Sequence, residues 1–246
     1  TEEQMRAEQK KWFRWLGEES ESGGRIGRYE GGMYSTQNVW RPSKHSMMIS
    51  VGYYFDQVSR ERMVQRISEQ VNLIADSRPT DTPVARNEVL WIEPAHPNYH
   101  ELTITWTIDG ETPRVLEAYR DRPNLPLSEV ADALTGVPVA GRTITVTVVD
   151  PTPFVKDPEI RSGPLTATRS WKVADTTVAT GSGEVAITGS TQTSRPVGGT
   201  EVVYVTTTHP PDRVPEFTWR LDGTVVKVDP RTERKPATTF NLASYN

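Results

Sequence analysis

The sequence predicts an α+β chain that is mostly β, helical and irregular at first and then folded as antiparallel immunoglobulin-like sandwich. Three observations carry this reading. All five methionines (Met5, Met33, Met47, Met48, Met63) fall within the first 63 residues, whereas beyond about residue 85 the chain turns to Thr, Val and Pro. Leu102, Ile104, Trp106 and Ile108 alternate with Thr103, Thr105 and Thr107, the period-two pattern of a strand with one buried face. A block also recurs at an offset of 113. Glu88-Val-Leu-Trp-Ile92 aligns with Glu201-Val-Val-Tyr-Val205, and Thr105-Trp106-Thr-Ile-Asp109-Gly110 with Thr218-Trp219-Arg-Leu-Asp222-Gly223. Periodicity of this length is what tandem modules give.

Taken in order, Thr1–Leu16 reads as a helix. Thr1 and Gln4 form a capping box, Trp12, Phe13 and Leu16 give an apolar face, and Gly17 ends it. Residues 25–50 are rich in Gly and aromatics without a helical or alternating period, so they read as irregular chain pinned by what they pack against. Ser59 is expected to cap a second helix whose apolar positions are Met63, Ile67, Val71 and Ile74. Two such helices offer too little periodic surface to cover these aromatics. Residues 1–75 are therefore expected to be part of a larger domain, the alternative being a small helical cap on the β region.

Residues 76–86 (polar, with two prolines) read as a linker and 87–175 as the first sandwich. Its strands are expected at Glu88–Ile92, Glu101–Ile108, Arg142–Val149 and Ala167–Val173, with a turn at Asp109-Gly110. Residues 176–199 read as a linker or edge strand. Residues 200–246 read as a second copy that lacks the later strands of the first, with Trp106 and Trp219 as buried core tryptophans.

Composition narrows the function. A net charge of −4 gives no basic face for nucleic acid, and no apolar run approaches the ~20 residues that span a bilayer. The absence of cysteine excludes disulfides, thiolate zinc sites and a cysteine nucleophile. His96 and His100 stand four apart, but Pro97 between them discourages the helix that would join them into a metal motif.

Four motifs in order carry a resemblance: Lys11-Trp12-Phe13-Arg14-Trp15-Leu16-Gly17, Gly27-Arg28-Tyr29-Glu30-Gly31-Gly32, Arg41-Pro42-Ser43-Lys44-His45-Ser46-Met47-Met48, and Phe55-Asp56-Gln57-Val58-Ser59-Arg60-Glu61. Together they resemble the IgA-peptidase family of metzincin-like zinc metallopeptidases. The resemblance implies a secreted or cell-surface endopeptidase in which a zinc-bound water attacks a peptide bond. It also implies a Met-turn beneath the metal, with Met48 the first candidate and Met47 the second. Tyr29, Glu30, Arg41 and His45 become candidates to line the substrate cleft, although Glu30 could equally serve only to orient the glycine loop and His45, between Lys44 and Ser46, reads more readily as a solvent-facing loop residue. The HExxH helix of the family does not occur in this sequence. It is expected before Thr1, as is any signal peptide. The chain alone is thus expected to be inactive, with no catalytic residue and no metal ligand, zinc and a protein or peptide substrate belonging to the parent enzyme. The alternatives are a degenerate homologue, a non-catalytic extracellular β-sandwich binding or adhesion protein, and a purely structural spacer.

Overall fold

The computed structural model describes residues 1–46, 55–95, 97, 100–133, 138–178, 187–190, 202–207, 216–229 and 237–241. The chain is mostly β with antiparallel sheets, as expected, and divides into two compact units. The first comprises Thr1–Asn72 and Asp150–Thr166, the second Leu73–Val149 and Ala167–Asn246. Residues 150–166 thus join the N-terminal unit, although the sequence reading placed them inside the first sandwich.

In the first unit, α1 (Glu2–Ala7) starts at the expected capping box. The Thr1 side chain accepts the Gln4 N–H, and the Gln4 side chain reaches back to the Thr1 amine. The helix does not run to Leu16. Gln9 (φ 50°) and Lys11 (φ 56°) take left-handed conformations that no α-helix admits, and only a 3-10 turn at Phe13–Trp15 follows. Gly17 (φ 89°) therefore ends no α-helix but turns the chain after the 3-10 turn, and its N–H donates to the Ile26 carbonyl at 2.8 Å.

The stretch read as irregular is a hairpin, β1 (Tyr29–Gly32) paired with β2 (Ser35–Arg41). Its tip, Met33-Tyr34, holds φ of 50° and 64°, the two successive left-handed residues of a tight hairpin turn. α2 (Gln57–Ser68) is capped by Asp56 rather than Ser59, with the Ser59 N–H donating to the Asp56 carboxylate at 2.9 Å. The helix expected as far as Ile74 ends at Ser68: Val71 lies beyond it, and Ile74, fully buried, begins a strand of the second unit, while Met63 (42%) and Ile67 (58%) on α2 are exposed. Val64 packs instead on Val155, Ile160 and Leu165 from the returning segment, which carries α5 (Pro158–Ser162). Part of the cover that the N-terminal residues require therefore comes from later chain.

The second unit begins with β3 (Ile74–Ser77), β4 (Val84–Ala85), β5 (Val89–Pro94) and β6 (Thr103–Ile108). There follow the short helix α3 (Arg114–Glu117), β7 (Asn124–Pro126), α4 (Leu127–Ala133), β8 (Thr143–Val149) and β9 (Thr166–Ala174). One sheet orders β3-β5-β7 and another β4-β9-β8-β6, and both feed a common core. The inward positions of β6 are the predicted Ile104, Trp106 and Ile108. Trp106 (1% exposed) and Trp171 stack with centroids 6.0 Å apart, and their indole N–H groups donate to the Arg122 and Arg78 carbonyls. No buried indole dipole is thus left unpaired at the centre of the core.

The remaining described strands are β10 (Ile187–Ser190), β11 (Val202–Thr207), β12 (Phe217–Leu221), β13 (Thr224–Asp229) and β14 (Ala237–Asn241), in sheets β10-β11-β14 and β12-β13. The 113-residue offset superposes β5 on β11 end to end. Both Asp-Gly turns also recur, with φ of 50° and 87° at Asp109-Gly110 and 48° and 81° at Asp222-Gly223. After the turn the copies diverge. Asp222-Gly223 closes the β12-β13 hairpin, whereas the chain after Asp109-Gly110 leaves for α3 and β6 pairs with β8 instead. Trp219 is only half-buried, unlike the core tryptophan expected from the repeat.

Candidate functional site

The four sequence motifs, spread over residues 11–61, form one hydrogen-bonded assembly within the first unit. Trp12 Nε1–H donates to the Gly27 carbonyl and the Gly27 N–H to the Pro42 carbonyl, both at 2.8 Å. Arg41 donates from Nη1 to the Glu30 and Gly31 carbonyls, and from Nε and Nη2 to Lys44 O at 3.4 and 3.3 Å. Ser43 Oγ donates to Asp56 Oδ2 at 2.8 Å, and both residues are buried. Trp15 Nε1–H donates to the Glu61 carboxylate, which also accepts the backbone N–H groups of Lys156 (2.5 Å) and Asp157 (2.9 Å).

These contacts define what each candidate residue does. Arg41 is buried, its guanidinium lies 5.9 Å from the Tyr29 ring centroid, and its donors are directed to three backbone carbonyls. A planar fork with five donors suits this task, holding the hairpin to the loop that follows. Tyr29 donates its hydroxyl to the Arg25 carbonyl at 2.8 Å, and the Glu30 carboxylate accepts the Asn38 N–H across the hairpin at 3.0 Å. Asn38 has φ of 61°, so Glu30 fixes a left-handed residue within β2. Tyr29, Glu30 and Arg41 are thus brought together on paired strands, and His45 follows as a half-buried residue of the next loop. Met47 and Met48 lie outside the described residues, as do His96 and His209, while His100 is exposed.

Among the described residues no three His, Asp or Glu side chains converge as ligands for a metal ion. The described residues therefore do not fit the zinc site that the resemblance implies, and no hydrolytic step is derived from them.

Sequence reasoning missed two features of this unit. One is Glu61, whose three donors come from residues 15, 156 and 157. The other is a groove along Lys11 and Trp12, flanked by hollows of about 350 and 260 Å³. The only sign of it in the sequence is an aromatic-and-cation run, Lys10-Lys-Trp-Phe-Arg-Trp15, which the helical reading assigned to a packed face. Compared with protein-family models, with curated proteins and with solved structures, the chain matches none of them.

Proposed function

We propose that this chain is the part of a secreted zinc metalloendopeptidase that walls the substrate cleft and carries immunoglobulin-like sandwich modules, the zinc-binding helix lying outside these 246 residues. The observation that carries the reading is the assembly of the four motifs. Stretches resembling one peptidase family in sequence are tied directly to one another through Trp12–Gly27, Gly27–Pro42, Arg41–Gly31 and Ser43–Asp56.

A second observation supports an incomplete domain. Met63 and Ile67, four residues apart on α2, both face solvent, apolar surface of the kind a neighbouring element covers. In this reading Tyr29 and Glu30 border the cleft while Arg41 holds the hairpin that presents them, and the Met-turn falls at Met48 or Met47. The sandwich assignment for the first module rests on the pairing of β4 with β9. That pair is parallel while the other described pairs are antiparallel, as when the first strand of an immunoglobulin-like sandwich crosses to the second sheet.

The test is the coding sequence upstream of Thr1. A His-Glu-x-x-His helix encoded in frame there supports the assignment, because that motif sets two imidazoles on one helix face with a general base between them. An upstream sequence without it removes the peptidase and leaves the β-sandwich binding protein.

A further inference from the structure

Two adjacent hollows of the first unit share Lys11 and Trp12 in their linings, so these residues form the ridge between the two halves of a grooved surface. The indole of Trp12 is fixed in the ridge by its hydrogen bond to the Gly27 carbonyl. Lys11 holds φ of 56°, a conformation that costs a non-glycine residue energy and is kept only where surrounding structure imposes it. On the larger side the floor is apolar, from Val58 and Ile160, and the walls carry Arg14 and Arg62. On the smaller side the Arg28 guanidinium carbon sits over Trp40, 3.5 Å from the ring centroid.

The charges of the groove do not cancel. Its acids on the larger side are Glu61 and Asp157, and both are committed. Glu61 accepts three N–H groups, while Asp157 pairs with Arg14 at 3.0 Å and caps α5 through the Glu159 N–H. Lys11, Arg28 and Arg62 have no carboxylate partner among the described residues, Arg62 donating only to the neutral Gln65 side chain. The groove therefore offers three uncompensated cations alternating with aromatic and aliphatic surface.

We propose that this groove binds an extended acidic peptide segment, its carboxylates on Lys11, Arg62 and Arg28 and its apolar side chains against Trp12 and the Val58–Ile160 floor. A nucleic-acid strand, the other ligand that cations and aromatics suit, presents a phosphate at every step. Here Glu8 and the overall charge of −4 oppose a continuous polyanion more than a peptide whose carboxylates alternate with apolar side chains, which also meet the aliphatic surface. The inference is independent of the metallopeptidase reading, since a peptide groove serves an enzyme or an adhesion module alike.

The test titrates the 246-residue chain with a pentapeptide alternating glutamate and phenylalanine, following the indole N–H resonances of Trp12 and Trp40. The expected result is a saturable shift that weakens with added salt and weakens about tenfold in the double variant Lys11→Gln, Arg62→Gln. An unchanged indole resonance of Trp15, which is hydrogen-bonded to Glu61 within the same unit, shows that the variant is folded there. Absence of a saturable shift overturns the proposal. So does an equal response to the lysine–phenylalanine pentapeptide, tighter binding of hexathymidylate, or unaltered affinity in the folded double variant.

Discussion

Trp15 donates its indole N–H to the carboxylate of Glu61, joining the 3-10 turn near the N-terminus to the first half of α2. The same carboxylate takes the N–H groups of Lys156 and Asp157 from the returning segment. One side chain thus ties three stretches that are remote in sequence, and all three of its partners are donors only. Replacing one carboxylate oxygen by an amide sets donor against donor. Glu61→Gln is therefore expected to cost about 1–3 kcal/mol, read from the urea midpoint at unchanged slope. A neutral result contradicts the assigned geometry.

The stacked Trp106 and Trp171 rings sit where the two sheets of the second unit share their core. Trp106→Ala removes a fully buried ring and is expected to cost about 3–5 kcal/mol. In a double-mutant cycle with Trp171→Ala, a coupling of about 0.5–1.5 kcal/mol is expected for the stacked pair. Near-neutral Trp106→Ala removes the sandwich assignment.

The hairpin tip places two residues with bulky side chains, Met33 and Tyr34, in left-handed conformations while both side chains face solvent. Neither burial nor backbone preference rewards them there. Met33→Asn with Tyr34→Gly supplies the pair that such turns favour, and it is expected to raise stability by about 1 kcal/mol. Thermal unfolding of the double variant checks this, and a lower midpoint would show that the tip makes contacts that the exposed side chains do not reveal.

Glu93 lies opposite Asp76 on paired strands β5 and β3, and burial first, then the Asp76 charge, raise its pKa above 4.5. The folded state therefore takes up this proton more readily than the unfolded chain. Ionised Glu93 weakens the fold at neutral pH, and the penalty fades as pH falls through the raised value toward 4.5. Glu93→Gln is expected to stabilise at pH 7, with a gain that shrinks on acidification over that window. Denaturant melts at several pH values give the comparison, and a gain that grows toward low pH has the wrong sign.

Local chemistry was legible in the sequence wherever a short stretch decides its own structure. The Thr1–Gln4 capping box, the alternation through Trp106 and the Asp222-Gly223 hairpin turn form as read, because each depends on neighbours within a few residues, whereas Asp109-Gly110 turns the chain without closing a hairpin. The β1–β2 hairpin was not legible. Gly31, Gly32, Met33 and Tyr34 interrupt any alternation, and Glu30 and Arg41 hold the strands by bonds to backbone groups that leave no periodic trace. The first helix was read too long because Trp12, Phe13 and Leu16 fall at helical spacing, although Lys11 turns the chain before them. The return of residues 150–166 to the first unit is a long-range event set by Glu61, Val64 and Ile160, and no local pattern announces it. Of the candidate site, sequence located the motifs. Only the structure assigns Arg41 and Glu30 their hydrogen bonds and exposes the groove beside Trp12.

The most direct test is zinc content and protein hydrolysis, measured in parallel on the product of the complete gene and on residues 1–246. The expected result is one tightly held zinc and chelator-sensitive hydrolysis in the complete product, with neither in the shorter chain. A complete product without zinc contradicts it, and so does a zinc held by residues 1–246 that is lost when His45 is replaced.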